Sequence, residues 1–155
     1  MAIEKKHYRY IFLILCVLSV LFIFGNSMQT AEMSTEASNV FVQKYRALLQ
    51  FFGVKNVTNA TYVVRKAAHI FEFYVQSLCF SLFFVFGEER FHKRIIYTLF
   101  AGLLIACCDE FIQLFSEGRA SQIQDVFIDF SGAAAGTLTA LGVYYRRNRR
   151  NIRHE

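Results

Sequence analysis

The sequence contains no proline and no tryptophan among its 155 residues. Disordered segments are usually rich in proline and poor in aromatic residues, so this chain, with 18 phenylalanines, does not fit that class. Hydrophobic residues make up 55% of the chain, above the share typical of soluble domains. The composition therefore predicts a membrane protein.

Cysteine is scarce, and its positions form no recognisable metal or disulfide motif. The four cysteines are Cys16, Cys79, Cys107 and Cys108, all within apolar stretches. The sequence has neither a Cys-x-x-Cys pair nor a histidine-rich partner motif, and buried thiols usually behave as small apolar residues. We therefore expect no disulfide and no bound metal or cofactor.

Charged residues are infrequent in four long apolar stretches. These cover residues 8–25, 67–87, 95–115 and 126–145. A helix that crosses the hydrocarbon core needs roughly 17–25 residues, so each stretch is long enough. No convincing small-x-small cleavage site follows the first stretch, which argues against a signal peptide. We predict an all-α integral membrane protein with a bundle of four transmembrane helices.

The positive charges indicate how the chain is oriented. The net charge is +5, but basic and aromatic residues do not interleave as on a nucleic-acid-binding module, so we expect no nucleic acid partner. Eleven of the seventeen Lys and Arg lie before or at the start of the first stretch, between the second and third, and in a basic tail at 146–155. The positive-inside rule then predicts that both termini are cytoplasmic. No internal repeat is present, so residues 1–155 are predicted to form a single domain.

The long connection between the first two stretches contains a helical pattern of its own. Its apolar residues recur at helical spacing, and they are Phe41, Tyr45, Leu48, Leu49 and Phe52. Ser34 is a candidate N-cap and Gly53 a candidate C-terminal stop. We predict a short amphipathic helix on the outer leaflet, either as a lid over a site or simply packed on the end of the bundle.

Polar and ionisable residues gather near the outer ends of the predicted spans. They are Ser27, Gln29, Arg65, Lys66, His69, Glu72, Asp109, Glu110, Gln113, Asp125 and Asp129. Arg65, His69 and Glu72 are spaced to share one face of a helix. A charged side chain at a helix centre costs about 2.5–3.5 kcal/mol to insert, so these residues should face one another and not lipid.

This cluster has two interpretations. Arg65, Lys66 and Arg119 could neutralise the acids and hold the helices in register, or the residues could line a functional pocket. A buried charged network is a costly way to achieve packing that apolar residues could supply, which favours function. In either case we expect Arg65 or Arg119 to pair with at least one carboxylate, from among Glu72, Asp109, Glu110 and Asp125.

Three sequence blocks resemble those of the VanZ family of small bacterial membrane proteins. They are FGNSMQ at 24–29, RKAAHIFEFY at 65–74 and DEFIQLFSEGRASQIQDVFIDFSG at 109–132, and the similarity extends over roughly 24–136. The chain departs from the family pattern at three positions. Phe73 stands where tyrosine is usual, Glu117 where proline is frequent, and Asp129 where asparagine is common.

The resemblance implies a multi-pass protein of the bacterial cytoplasmic membrane with a role in the cell envelope, since the family's namesake is associated with low-level resistance to teicoplanin. It also marks family positions that overlap the cluster described above. These are Ser27, Gln29, Arg65, Lys66, His69, Glu72, Asp109, Glu110, Gln113, Gly118, Arg119, Asp125 and Gly132. The family resemblance alone does not identify a reaction.

Three mechanisms remain open from the sequence. The first is binding of an envelope lipid or wall precursor by Ser27, Gln29, Arg65, Lys66, Gln113, Arg119, Asp125 and Asp129. The second is an intramembrane enzyme in which His69 and Glu72 act as an acid/base pair, assisted by Asp109 and Glu110, with or without a metal held by Asp109, Glu110 and Asp125. The third is a proton-coupled carrier, which would need a dimer. Gly132 and Gly136 form a Gly-x-x-x-Gly motif that suits close helix contact within the monomer or in a homodimer.

Overall fold

The computed structural model describes residues 2–54, 58–87 and 90–152, and their regular elements are all helices. The helices are α1 (Ala2–Ser27), α2 (Ala31–Phe51), α3 (Ala60–Phe86), α4 (Phe91–Gln113) and α5 (Ile123–Ile152). Four of them, α1, α3, α4 and α5, are long and apolar enough to cross a membrane. The predicted all-α architecture is therefore confirmed, with its additional helix in the first connection.

The helices extend beyond the predicted spans. α3 begins at Ala60, seven residues before the apolar stretch that was predicted from residue 67, and α5 continues through the basic tail to Ile152. Arg and Lys are good helix formers, so a change from apolar to basic residues does not end a helix. The apolar limits therefore mark where hydrocarbon contact is expected, while the helices continue past them.

The bundle has an apolar exterior and a partly polar interior. Large apolar side chains such as Leu21, Phe100 and Leu138 are exposed, while Gln76 and Thr98 are buried. A soluble protein shows the opposite preference, whereas a membrane protein directs polar groups to the bundle interior because lipid cannot hydrogen-bond them. This distribution agrees with the four candidate spans.

The central helix is α3, which packs against each of the other four helices. Its closest contact is with α5, where the Gly-x-x-x-Gly motif lies against the α3 backbone. A Cβ atom at Gly132 would lie 2.2 Å from the Ile70 carbonyl oxygen, and one at Gly136 would lie 2.2 Å from that of Tyr74. Only glycine allows so close an approach, so this chain uses the motif between its own helices.

An apolar core closes the bundle beneath the charged residues. It consists of Ile23, Phe73, Ile105, Ala106 and Ala133, contributed by four different helices. Phe73, at the position where the family usually has tyrosine, is fully buried in this core. It therefore packs as an apolar side chain one turn along α3 from His69.

Helix α2 begins earlier than the sequence predicted. Its N-cap is Thr30, whose Oγ1 accepts a hydrogen bond from the Met33 amide at 3.2 Å, so the predicted cap at Ser34 is wrong. A tertiary contact anchors this start, because the Ala31 amide donates to the Glu117 carbonyl at 3.0 Å. The predicted stop is confirmed, since Gly53 follows the helix with a φ of 85° that suits glycine.

We predict that Gly136→Ala destabilises the protein by about 1–3 kcal/mol, because the new methyl group would meet the α3 backbone, which cannot move aside without disturbing the bundle. Thermal unfolding in detergent, followed by circular dichroism, measures the change. Gly142→Ala is the matched control on the same helix, since a Cβ there meets nothing within 4 Å. It should be neutral or slightly stabilising, because alanine favours a helix over glycine. Equal effects of the two substitutions would contradict the close α3–α5 contact.

Candidate functional site

The predicted polar residues meet at one end of the bundle. This is where α1 and α4 end and α3 and α5 begin, so four helix termini lie together. We call this region the polar end, and its buried or partly buried members are Ser27, Gln29, Arg65, Lys66, His69, Glu72, Asp109, Glu110, Gln113, Arg119, Asp125 and Asp129. The convergence expected from the topology is thus present in the structure.

Asp109 is the best-satisfied acid of the polar end. It is fully buried, and its Oδ1 accepts a hydrogen bond from the Ser27 hydroxyl. Its Oδ2 accepts another from Gln113 Nε2 at 2.8 Å. A buried carboxylate is costly unless it is hydrogen-bonded, so both donors stabilise this position. The first of these bonds joins the end of α1 to α4.

The connection between α4 and α5 closes the end of α1. The Ser116 hydroxyl donates to the Ser27 carbonyl at 2.7 Å, and Arg119 Nη2 donates to the Asn26 carbonyl at 3.1 Å. The last carbonyl groups of a helix have no partners within it. Ser116 supplies a donor for the Ser27 carbonyl, while Arg119 adds a second donor to the Asn26 carbonyl, which also accepts from the Gln29 amide at 3.3 Å. Gly118, with a φ of 73°, allows the turn between the two side chains.

Glu110 and Asp125 are held at the start of α5. Glu110 Oε2 accepts a hydrogen bond from the Gln122 amide at 2.9 Å, just before the helix begins, where a carboxylate is favoured by the free amide groups and the helix dipole. Asp125 forms an ion pair with Lys66 Nζ. The expectation that an arginine pairs with a carboxylate is wrong, because within the described ranges neither Arg65 nor Arg119 lies in an ion pair.

His69 and Glu72 are near neighbours on α3, but they turn to different partners. Glu72 Oε1 accepts a hydrogen bond from Asn26 Nδ2 at 2.9 Å. His69 Nδ1 instead faces α4 and α5, at 3.8 Å from Asp109 Oδ2 and 3.7 Å from Asp129 Oδ1. No hydrogen bond joins His69 to Glu72 in the part of the chain that the structure describes. Their predicted role as an acid/base pair is therefore not supported by a direct contact between them.

Two cavities at the polar end are lined by its charged residues. The smaller, of about 220 Å³, is a polar chamber between α3 and the α4–α5 connection, lined among others by Lys66, Gln113 and Asp125. The larger, of about 620 Å³, is a groove between α1, α2 and α3. Both cavities are also lined by Arg65, His69 and Arg119, so these three residues stand at the boundary between the chamber and the groove.

Comparison with known families identifies the chain. The family model described as VanZ/LLP1 matches residues 12–144, most of the sequence. The chain belongs to the VanZ/LLP1 family. No curated protein and no solved structure matches it. Together with the four candidate spans, the match makes this a multi-pass VanZ-family membrane protein.

In this VanZ-family protein, part of the Arg119 guanidinium has no hydrogen-bond partner in the described part of the chain. Its Nε and Nη1 atoms are buried and have no hydrogen-bond partner among the described residues. Burial, and then the neighbouring Arg65 guanidinium, lower the pKa of Arg119 from its ordinary value. An arginine nevertheless stays protonated in proteins, so two cations lie close together with donor atoms still available.

Sequence reasoning missed three residues that organise the site. Asn26 bonds Glu72 through its side chain and Arg119 through its carbonyl, Ser116 closes α1, and Gln122 donates to Glu110. Asn26 lies inside the FGNSMQ block, which is the one available signal for it. Ser116 and Gln122 act at helix ends, where partners depend on how neighbouring helices are placed.

We predict that Ser27→Ala destabilises the protein by about 1–3 kcal/mol, because the buried Asp109 carboxylate loses a donor that no solvent can replace. Thermal unfolding in detergent tests this. Ser19→Ala is the matched control on α1, because among the described residues the Ser19 hydroxyl bonds just the Cys16 carbonyl of its own helix, at 2.8 Å. Its loss should cost less than about 0.5 kcal/mol. A Ser27→Ala variant as stable as its control would show that Asp109 does not depend on this bond.

Proposed function

We propose that this VanZ-family protein lies in the bacterial cytoplasmic membrane, with both termini in the cytoplasm, and binds an envelope lipid or lipid-linked wall precursor at its polar end. The observation that carries the proposal is the groove between α1, α2 and α3. Most of its exposed lining area is apolar, and its lining also includes two arginines, Arg65 and Arg119. An amphiphile with an acyl or prenyl chain and an anionic head group matches this distribution.

The apolar part of the groove suits a hydrocarbon chain. Phe22 of α1, Phe41 of α2 and Phe71 of α3 line it, and all three rings are exposed at the protein surface. The groove is therefore open on the side where a membrane lipid would approach. Its volume of about 620 Å³ lies within the range of roughly 300–1,000 Å³ that is usual for ligand sites.

The charged part of the groove suits a phosphate or a carboxylate. Arg65 and Arg119 repel each other in a partly buried setting, and an anion between them would relieve that repulsion. Arg119 keeps Nε and Nη1 without partners among the described residues, and a guanidinium is the side chain best suited to bind such anions. Lys66 is less available because Asp125 neutralises it.

Acceptor groups in the same groove suit the hydroxyl or amide groups of a larger head group. Glu72 keeps its Oε2 without a partner among the described residues, and Gln29 lies nearby on the groove wall. A sugar or peptide head group offers donors to such atoms. A lipid-linked wall precursor combines these donors with a phosphate, so it engages both the arginines and the acceptors.

Helix α2 forms one wall of the groove and provides a surface for the membrane interface. Its Phe41, Leu48 and Phe51 side chains are exposed, while Val42 on the opposite face is buried. An amphipathic helix with an exposed apolar face lies in the boundary between head groups and acyl chains. We assign α2 to the outer leaflet, where it covers the bound head group.

The family resemblance implies reduced susceptibility to lipoglycopeptide antibiotics, and we propose that this role operates through binding of a wall precursor. A competing proposal is an enzyme that modifies the same molecule. The observation in its favour is the position of His69 beside Asp109 and Asp129, which is a plausible arrangement for proton transfer. A chemical change in the bound lipid distinguishes the two proposals.

The binding proposal predicts preference for an anionic head group. The purified protein in neutral detergent should bind undecaprenyl phosphate at least about 10-fold more tightly than undecaprenol, as measured by native mass spectrometry. Arg65→Ala and Arg119→Ala should each weaken binding about 10- to 150-fold, because each removes charge-assisted hydrogen bonds worth about 1.5–3 kcal/mol. Arg46→Ala on α2 is the matched control, since Arg46 is exposed and lines neither cavity.

Equal binding of the phosphate and the alcohol, or an equal loss in the Arg46→Ala control, would refute the binding proposal. The bound lipid is also weighed after incubation. An unchanged mass supports binding alone. A mass change that is lost in Glu72→Gln or in a His69 variant would establish the enzyme instead.

The proposed orientation predicts the outcome of reporter fusions. A reporter after Arg147 and one within residues 88–94 should be cytoplasmic, while one within residues 56–61 should be outside, because most of the basic residues lie at the other end of the bundle. Paired alkaline phosphatase and fluorescent protein fusions read out the two sides. An external signal at the C-terminus would overturn this orientation.

A further inference from the structure

Three side chains from three different helices place metal-binding atoms close together at the polar end. They are His69 of α3, Asp109 of α4 and Asp129 of α5, and one ligand atom of each lies within 4.8 Å of the others. An imidazole nitrogen and carboxylate oxygens are common ligands of divalent transition metals. The chemistry of the three groups and their convergence suit one ion.

The distances between these side chains fit three ligands of one metal ion better than hydrogen bonds from one side chain to another. His69 Nδ1 lies 3.8 Å from Asp109 Oδ2 and 3.7 Å from Asp129 Oδ1. Both distances exceed the roughly 2.7–3.2 Å of a hydrogen bond from nitrogen to oxygen. Two ligands of one tetrahedral zinc ion, at bond lengths of about 2.0–2.2 Å, lie about 3.3–3.6 Å apart. The observed separations are only slightly wider than that range.

Unsatisfied atoms at the same place indicate a missing partner. Asp129 is 1% exposed, yet its Oδ2 has no hydrogen-bond partner among the described residues, and His69 Nδ1 has none either. A buried carboxylate without a partner is costly, and Asp109 adds a second carboxylate beside it. Lys66 is already engaged in an ion pair with Asp125. A divalent cation would satisfy these atoms and offset both negative charges.

The surroundings hold the ligands in place. Ser27 and Gln113 donate to the two oxygens of Asp109, which fixes the carboxylate as outer partners do around metal ligands. The contact of Gly132 with the α3 backbone at Ile70 keeps Asp129, three residues earlier on α5, close to His69. His69 also lines both cavities, so an ion has a route of access.

We infer that His69, Asp109 and Asp129 form a binding site for a divalent transition metal, and zinc, which accepts both nitrogen and oxygen ligands, is the ion chosen to test it. Three protein ligands leave a fourth position for water or for an oxygen of a bound molecule. This site was not expected from the sequence, where Asp109, Glu110 and Asp125 were the candidate ligands. It stands independently of the proposed lipid binding.

Metal titration of the purified protein tests the site. The protein in detergent is stripped with a chelator, equilibrated with Zn²⁺ without lipid, and analysed by elemental mass spectrometry. We expect about one zinc per chain. Asp129→Asn and His69→Gln keep the approximate shape of the side chains and should weaken zinc binding at least about 100-fold, more than the 10- to 100-fold typical of an outer-partner change.

Matched controls separate ligand loss from general effects. His92→Gln and Glu117→Gln remove the same kinds of group from exposed positions and should bind zinc as the unaltered protein does. The visible absorption of bound Co²⁺ reports the ligand set directly, and its tetrahedral bands should disappear in both site variants while circular dichroism confirms their helicity. Absence of zinc binding, or equal affinity in the site variants and controls, would overturn the proposal. Since lipid is absent, that failure would leave lipid binding through Arg65 and Arg119 unaffected.

Discussion

The buried carboxylate of Asp109 is the interaction on which the polar end depends. It accepts hydrogen bonds from Ser27 and Gln113, and it faces His69 across the bundle. These contacts involve three of the four candidate membrane-spanning helices. A fully buried carboxylate without donors would be costly, so these bonds stabilise the arrangement of the helix ends.

The second constraint is the contact between α3 and α5. Gly132 and Gly136 allow α5 to lie directly on the backbone of α3 at Ile70 and Tyr74, and the matching order along both helices means that they run in parallel. This register brings the acids of α5 opposite the basic face of α3. The ion pair of Lys66 with Asp125 and the approach of Asp129 to His69 both follow from it. Small residues in the middle of the bundle thus position charges at its end.

The polar end divides into regions with different chemistry. The groove combines aromatic walls with the unsatisfied guanidinium atoms of Arg119, which is the pattern proposed to hold a lipid and its anionic head group. The three-residue cluster behind it combines an imidazole with two carboxylates, which is the pattern proposed to hold a metal ion. His69 lines the groove and also belongs to the three-residue cluster. The two proposals together place an oxygen of the bound head group near the fourth coordination position of the metal ion.

The sequence by itself determined the four apolar helices, the extra helix between the first two, and the end of the bundle at which Ser27, His69 and Asp109 lie, because span length and order along the chain decide these features. Only the tertiary structure decided which partners meet. Lys66 and not an arginine pairs with Asp125, Glu72 turns to Asn26, and α2 starts at Ala31 on a contact with Glu117. Those choices depend on how each helix is rotated about its axis, and that rotation is set by close contacts between distant residues, which spacing along one helix does not encode.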